Sequence, residues 1–367
     1  NFTHMIEHWV KPLDTEELFA SLRLEDFHFG NNISIYEKKL PDLHAAQLVL
    51  LGLDDVNSMA VRRHLYSCSY RFDKLNIVDL GNIRNKDNSF IIPVLSELIT
   101  LGITPVILGE QNYQFRAQLL AHRQMKREVG LTLVSKNLKI LRTILSEFSD
   151  LSSDIFVKYF YALGIQAHYT NPALFEELDK NSYELLRLGD MQADIREVEP
   201  FIRNSDVFCF DISSIRSSEA PGQVQPTAGG LFMEQACQTC RYAGFNPGIG
   251  SFGIYGYNPS LDRDELTAST IAQMIWYFID GHQHREKEDP QNKDGMLEFV
   301  VDYKIKDEPV KFYKSIGSGK WWVDISFMYP NRGESDVLAP CSYEDYVKLC
   351  NDELSERLLK LIKRSIS

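Results

Sequence analysis

The sequence predicts an α/β fold, one parallel sheet with helices on both faces, extended by a small antiparallel meander. Two observations carry the first part. Apolar runs of the length used by a doubly covered strand alternate about eight times with stretches at helical spacing. No internal repeat or low-complexity linker interrupts that alternation. A third observation carries the meander: after the charged stretch 282–294 the pattern changes to alternating or apolar runs joined by short turns.

Taken in order, residues 14–24 read as a short amphipathic helix, with Asp14 or Thr15 as N-cap and Leu18, Phe19 and Leu22 on one face. Strands are expected at 47–53, 76–80, 104–108, 131–134, 161–165, 184–188, 207–210 and 252–257, the second and third closing on Gly81 and Gly109. Helices are expected between them at 57–66, 90–101, 114–126, 138–148, 172–180, 231–242 and 264–281. The meander covers 297–304, 310–314 and 321–327, and one amphipathic helix at 342–365, capped by Ser342, ends the chain. The whole reads as one domain over 1–367. Its core is 45–281, with an N-terminal extension at 1–44 and the meander and helix at 296–367.

Bulk properties narrow the partners. Hydrophobic content of 44% and charged content of 25% are ordinary for a globular chain. A net charge of −12 weighs against nucleic acid or an anionic membrane, since neither is drawn to an acidic surface. No apolar run reaches the roughly 20 residues that span a bilayer, and the first residues lack a signal-peptide core. The 6 cysteines are scattered, which fits a reducing compartment, so a cytoplasmic location is expected.

Three short motifs are better explained without chemistry. Cys237 and Cys240 form a lone CxxC inside a helical pattern and are expected to be packing cysteines. Gly317-Ser318-Gly319-Lys320 lacks the spacing of a phosphate loop and is followed by Trp321, so a hairpin turn is expected. His282 and His284 lack a third ligand nearby and read as surface histidines.

The stretch from Asp211 to Leu231, DISSIRSSEAPGQVQPTAGGL, is different. It follows the apolar run Val207-Phe208-Cys209-Phe210, so Asp211 sits where a buried strand ends. In open α/β sheets that carboxyl edge is where ligands bind. A long Pro- and Gly-rich loop there is more often functional than incidental.

Asp211-Ile212, Ala220-Pro221-Gly222, Pro226 and Gly229-Gly230-Leu231 fall without a gap on the pattern DIDxxDPxxAPGxxxPxPGGL. The stretch thereby resembles the signature of the ureohydrolases: arginase, agmatinase and formimidoylglutamase. Val78-Asp79-Leu80-Gly81-Asn82, Pro105 to Gly109, and Asn258-Pro259 with Asp262 resemble three further family motifs in the same order. Formimidoylglutamase-like proteins are the nearest in pattern. The resemblance implies a three-layer α/β/α sandwich around an eight-stranded, mostly parallel sheet. It also implies two manganese ions at the strand ends, bridged by a hydroxide that attacks an amidine or guanidinium carbon.

Carried over by position, the ligand motifs of the resemblance are largely replaced. Asn112 stands where the GGDH motif has its histidine, and Ser135, Asn137 and Lys139 stand for the three ligands of DAHxD. Asp211 keeps the first acid of DID and Ser213 replaces the second, while Gly256 stands where a substrate-holding glutamate is expected. A lysine about 4 Å from a divalent ion is repelled by roughly 8 kcal/mol at an effective dielectric near 20. The resemblance therefore carries the expectation that the binuclear site is lost and no cofactor is needed.

Three functions are weighed. The first is a non-catalytic family member with a binding, regulatory or assembly role, holding a small polar ligand in the former metal pocket, with Lys139 paired to Asp211. The alternative is a carbon–nitrogen hydrolase acting on formimidoylglutamate or a related amidine or guanidino compound, for which Asp211, Glu110, Glu234 and His168 are the candidate ligands. The third is metal-free chemistry around Lys139, disfavoured against simple neutralisation of Asp211. A homo-oligomer is expected from the resemblance, with Trp321 and Trp322 as a candidate surface.

Overall fold

Neighbouring strands of the central sheet run parallel wherever the apolar runs predicted them. A computed structural model describes residues 2–110, 114–122, 128–142, 156–286, 288, 290–303, 309–326 and 337–366. The chain opens with α1 (Phe2–Trp9), β1 (Val10–Lys11), α2 (Thr15–Ala20) and β2 (Ser34–Ile35). The first half of the core is β3 (Leu48–Gly52), α3 (Asp55–Tyr66), β4 (Ile77–Ile83), α4 (Asn88–Thr100), β5 (Thr104–Leu108), α5 (Phe115–His122) and β6 (Glu128–Val134). The second half is β7 (Phe156–Ile165), α6 (Ala173–Lys180), β8 (Glu184–Arg187), α7 (Leu188–Ala193), α8 (Glu199–Ile202), β9 (Val207–Asp211), α9 (Met233–Phe245), β10 (Ser251–Tyr255) and α10 (Leu266–Gln283). Then come β11 (Met296–Val301), β12 (Val310–Ser315), β13 (Trp321–Asp324), β14 (Leu338–Cys341), α11 (Tyr343–Cys350) and α12 (Glu356–Ile366).

The central sheet has the order β1-β4-β3-β5-β10-β9-β6-β7-β8, with β2 also on β4. Strands β3 to β10 pair parallel throughout and make the expected eight-stranded core. Only β1 is antiparallel, against β4. Period-2 alternation divides the core strands between two apolar layers. Leu48, Leu50, Phe208 and Phe210 face the layer of α3, α9 and α10; Val49, Leu51, Val207 and Cys209 face the layer of α4 and α5. This is the three-layer sandwich.

Two local contacts fix how helices sit on the sheet. Asp54 caps α3, its carboxylate accepting from the amides of Val56 and Asn57. That places Arg62 over β4, where it donates to Asp79 Oδ2 at 2.7 Å and Oδ1 at 2.9 Å, both side chains fully buried. Gly81 O, Asn82 Oδ1 and the Tyr66 hydroxyl complete the network. On the same face α9 crosses α10 at Gly244 and Gly281. A Cβ on either would lie 2.2 Å from Phe278 O or 2.3 Å from Arg241 O.

The meander is a four-stranded antiparallel sheet, β11-β12-β13-β14, the last strand lying beyond those expected from sequence. Arg203 ties it to the core, donating to Trp321 O at 2.6 Å with its guanidinium 4.8 Å from the Trp322 ring. Trp321 and Trp322 are buried inside the chain, which corrects their assignment to an oligomer surface. The single terminal helix expected at 342–365 is two helices, separated by a turn in which Asp352 takes φ +61. Ser342 does cap the first, in a reciprocal box with Asp345. Arg357 on α12 faces Glu184 of β8 at 3.5 Å, and Lys360 donates to Tyr183 O at 2.8 Å. The glycine-rich Gly317–Lys320 stretch is the β12–β13 turn, with Gly319 at φ +73 and Lys320 paired to Glu288 at 3.2 Å. Among the described residues no helix is long and apolar enough to cross a membrane.

Candidate functional site

Strands β5, β10, β9 and β6 are neighbours in the middle of the sheet, so their carboxyl ends share one edge. That edge carries Glu110, Gly256, Asp211 and the run Ser135–Asn137. Asp211 ends β9 and is only 4% exposed. Its Oδ1 accepts from the Ser213 amide at 2.9 Å and its Oδ2 from the Ser135 hydroxyl at 3.1 Å. Ser214 Oγ donates to the Asp211 carbonyl at 2.7 Å. Burial pushes the carboxyl up from the ordinary aspartate range, while the Ser213 and Ser135 hydrogen bonds and the Lys136 charge pull it down.

The cation beside Asp211 is Lys136. Lys139 is exposed, and its backbone amide donates to Asn137 Oδ1 at 3.0 Å, which corrects the expected Lys139–Asp211 pairing. Lys136 is 4% exposed and donates from Nζ to the Gln225 carbonyl at 2.6 Å. Burial lowers its ammonium from the ordinary lysine value, and Asp211 and Tyr169 oppose that shift. Ser135, Asn137, Asp211 and Ser213 therefore do converge on one edge, with Ser213 and Asn137 half-buried. Asn112 lies outside the described residues.

Gly256 follows β10 at φ +87, and its amide donates to Glu110 O at 3.1 Å. A side chain in that conformation is strained by roughly 1–2 kcal/mol, so the backbone here favours glycine over the glutamate of the motif.

The Ala-Pro-Gly and Gly-Gly-Leu frame shapes the loop over this edge. Leu231 pairs back on Ser214, its amide donating to Ser214 O at 2.8 Å. Gly230 makes that possible, because a Cβ there would lie 2.6 Å from the Arg216 amide nitrogen. Gln223 Nε2 donates to Ile215 O and Ala220 O at 2.8 and 2.7 Å, closing the loop on itself. The loop is then latched to β6 and β7 by Lys136–Gln225 and by the hydroxyls of Tyr169 and Thr227, 3.0 Å apart. The Lys136 ammonium stands 5.3 Å from the Tyr169 ring centre. Lys136, Gln166, Tyr169 and Gln225 were not among the sequence candidates. The available signal was a lysine in the alanine position of DAHxD.

The remaining candidates separate from this edge. His168 is exposed on the turn after β7. Cys237 and Cys240 are buried in α9, and burial pushes the Cys237 thiol up to about 12, consistent with packing cysteines. His282 is not on the surface: it lies in α10 at 9% exposure, and burial takes its pKa down to about 3. His284 is the exposed one of the pair.

This geometry defines an α/β/α protein with a site at the carboxyl edge of a parallel sheet, under a glycine-proline loop. The arginase-family profile matches residues 157–280. A formimidoylglutamase of a Geobacillus species is 25% identical over 248 residues, 61% of this chain and 73% of that protein. One from Staphylococcus carnosus is 26% identical over 127 residues, so there the match spans only 41% of the relative's length and 33% of this chain. Among solved structures, formiminoglutamase from Trypanosoma cruzi, determined with Mn2+, has a TM-score of 0.62 at 18% identity, covering 71% of this chain and 99% of that one. Formimidoylglutamase from Bacillus subtilis has a TM-score of 0.60 at 17% identity, covering 75% and 100%. The chain is thus similar to the arginase family over residues 157–280, and the curated relatives it matches are formimidoylglutamases.

Those neighbours correct the expectation that no cofactor is involved: manganese accompanies solved members of the group that this chain matches. The described donors at the edge are the carboxylates of Asp211 and Glu110, the second paired with Lys86 at 3.1 Å, with two hydroxyls and an amide beside an ammonium. By themselves they do not fit a pair of divalent ions, which need several anionic oxygen ligands. Among the described residues no group of three or more His, Cys, Asp or Glu could hold a metal, and Asn112 lies outside that set.

Proposed function

We propose that this chain is a non-catalytic ureohydrolase that binds a small polar ligand at the carboxyl edge of its sheet, in a binding, regulatory or assembly role. The observation that carries this reading is the engagement of the buried Asp211 carboxylate from within the chain, by the Ser135 hydroxyl at 3.1 Å and the Ser213 amide at 2.9 Å. A carboxylate engaged from within the chain is poorly placed to orient a nucleophile, and the glycine geometry at Gly256 leaves no carboxylate there for a cationic substrate group. The test is carbon–nitrogen cleavage of formimidoylglutamate by the full chain after manganese loading. The reading predicts no turnover above the protein-free control, and turnover at the level of an ordinary hydrolase overturns it.

A second reading, a working hydrolase of formimidoylglutamate or a related amidine, is favoured by the similarity to formimidoylglutamases over 61% of the chain. On that reading Asp211 is the carboxylate retained for manganese, and Asp211→Ala abolishes turnover.

A further inference from the structure

The loop between Gln223 and Gly230 covers two polar side chains whose hydrogen-bonding capacity is not used up. Lys136 has three N–H donors and one acceptor among the described residues, the Gln225 carbonyl. Gln166 follows β7 at 5% exposure, and its buried Nε2 has no partner among the described residues. A buried amide donor left unmade costs about 1–3 kcal/mol, which a native fold seldom tolerates without a use. The two residues are backbone neighbours, since the Gln166 amide donates to Lys136 O at 2.9 Å. Both side chains run beneath the same loop: Lys136 reaches Gln225, and Gln166 Oε1 lies 3.4 Å from the position a Cβ would take on Gly229. That Cβ would meet nothing else within 4 Å among the described residues, so they leave room beside the amide.

The charge balance selects the ligand. Lys136 and Lys139 repel one another, and Asp211 is the one carboxylate among the described residues that opposes them at Lys136, beside the Tyr169 ring. Asp211 is itself spoken for by Ser135 and Ser213. A ligand carrying a second ammonium or guanidinium adds repulsion, whereas a planar anion with two oxygens can take one bond from an ammonium and one from an amide. We infer that Lys136 and Gln166 form a binding site for a small carboxylate, roofed by the loop from Gln223 to Gly230. This rests on the reading of the edge as a binding site and names the ligand class for it.

The site differs in kind from a metal centre, because its recognition groups are N–H donors. Tyr169 and Thr227 flank it and hold the roof through their hydroxyls, 3.0 Å apart.

The experiment is calorimetric titration of the full chain with acetate and with L-glutamate at constant ionic strength, using guanidinium chloride at the same concentrations as the cationic control. One saturable carboxylate site per chain is expected, absent for guanidinium. Lys136→Met and Gln166→Leu should each weaken it at least tenfold, and Lys136→Arg should retain it within a few fold. Gln166→Leu keeps the test decisive if Lys136→Met fails to fold. Absence of saturable binding in the unaltered chain, or equal affinity in the Gln166→Leu variant, overturns the inference. Amidine turnover, followed in parallel, separates the two claims. Carboxylate binding through Lys136 alongside turnover supports this site and removes the non-catalytic reading. No binding and no turnover removes this site alone.

Discussion

Arg62 and Asp79 meet in a two-point ion pair from which solvent is excluded on both sides. Desolvation opposes each charge, and the pair holds because Tyr66, Asn82 and the Gly81 carbonyl fill the remaining bonds. Such a pair adds little over an apolar core when whole, but removing one partner strands a buried charge. Arg62→Leu is expected to cost about 3–5 kcal/mol in urea unfolding. Arg62→Leu combined with Asp79→Leu should cost less than the single change, and a larger loss in the double variant contradicts this account.

The α9–α10 crossing gives a sharper steric prediction. Gly244→Ala places a methyl against the Phe278 carbonyl, which neither helix can yield without sliding. An overpacking penalty of roughly 1–3 kcal/mol is expected, read as a lowered thermal midpoint. Gly189→Ala is the control, since a Cβ there meets nothing within 4 Å among the described residues. At that helical position the substitution should be neutral or stabilising by about 0.4–1 kcal/mol.

His282 predicts a pH dependence with a definite sign. Its folded pKa of about 3 lies below the ordinary 6.5, because burial and Arg285 disfavour the charged ring. As pH falls below 6.5 the unfolded chain takes up a proton that the folded chain refuses. Stability from this group is thus full above 6.5 and declines down to about pH 3, with a loss of roughly 2 kcal/mol at pH 5. His282→Gln should flatten that part of the stability profile, and an unchanged slope counts against burial as the cause.

Val224 stands 71% exposed at the tip of the loop held by Lys136 and Tyr169. Tyr169→Phe removes one hydroxyl bond, worth about 1 kcal/mol. Limited proteolysis around 224–226 should accelerate about fivefold, given cleavage from the opened loop. Equal cleavage rates would place the loop's anchorage elsewhere.

How far the sequence carried the fold depended on how buried each element is. Strands β3 and β9 announce themselves because both faces are covered, so Leu48 to Leu51 and Val207 to Phe210 are apolar without interruption. The strands β1 and β2 have two residues each and no period to detect. The site was legible as an edge, through Asp211 and the glycine-proline frame, but not in its charges. Counting along a motif selected Lys139, yet the strand ends at Val134 and the chain has turned outward by that residue. Lys136, nearer the strand end, is the one held under the loop. The Arg62–Asp79 pair had no local signal, since a helix residue and a strand residue meet only through packing.

The placement of β10 also sets a clock on the molecule. The last parallel strand to leave the ribosome is inserted between β5 and β9, in the centre of the sheet. Until residues near 255 are available, β5 and β9 have no shared neighbour, and the two halves of the carboxyl edge stay apart. Pairings of such long sequence separation are slow to form. The edge that bears Asp211 and Lys136 is thus completed late in folding, and a nascent chain stalled before β10 exposes one open edge on β5 and one on β9 as targets for chaperones or aggregation.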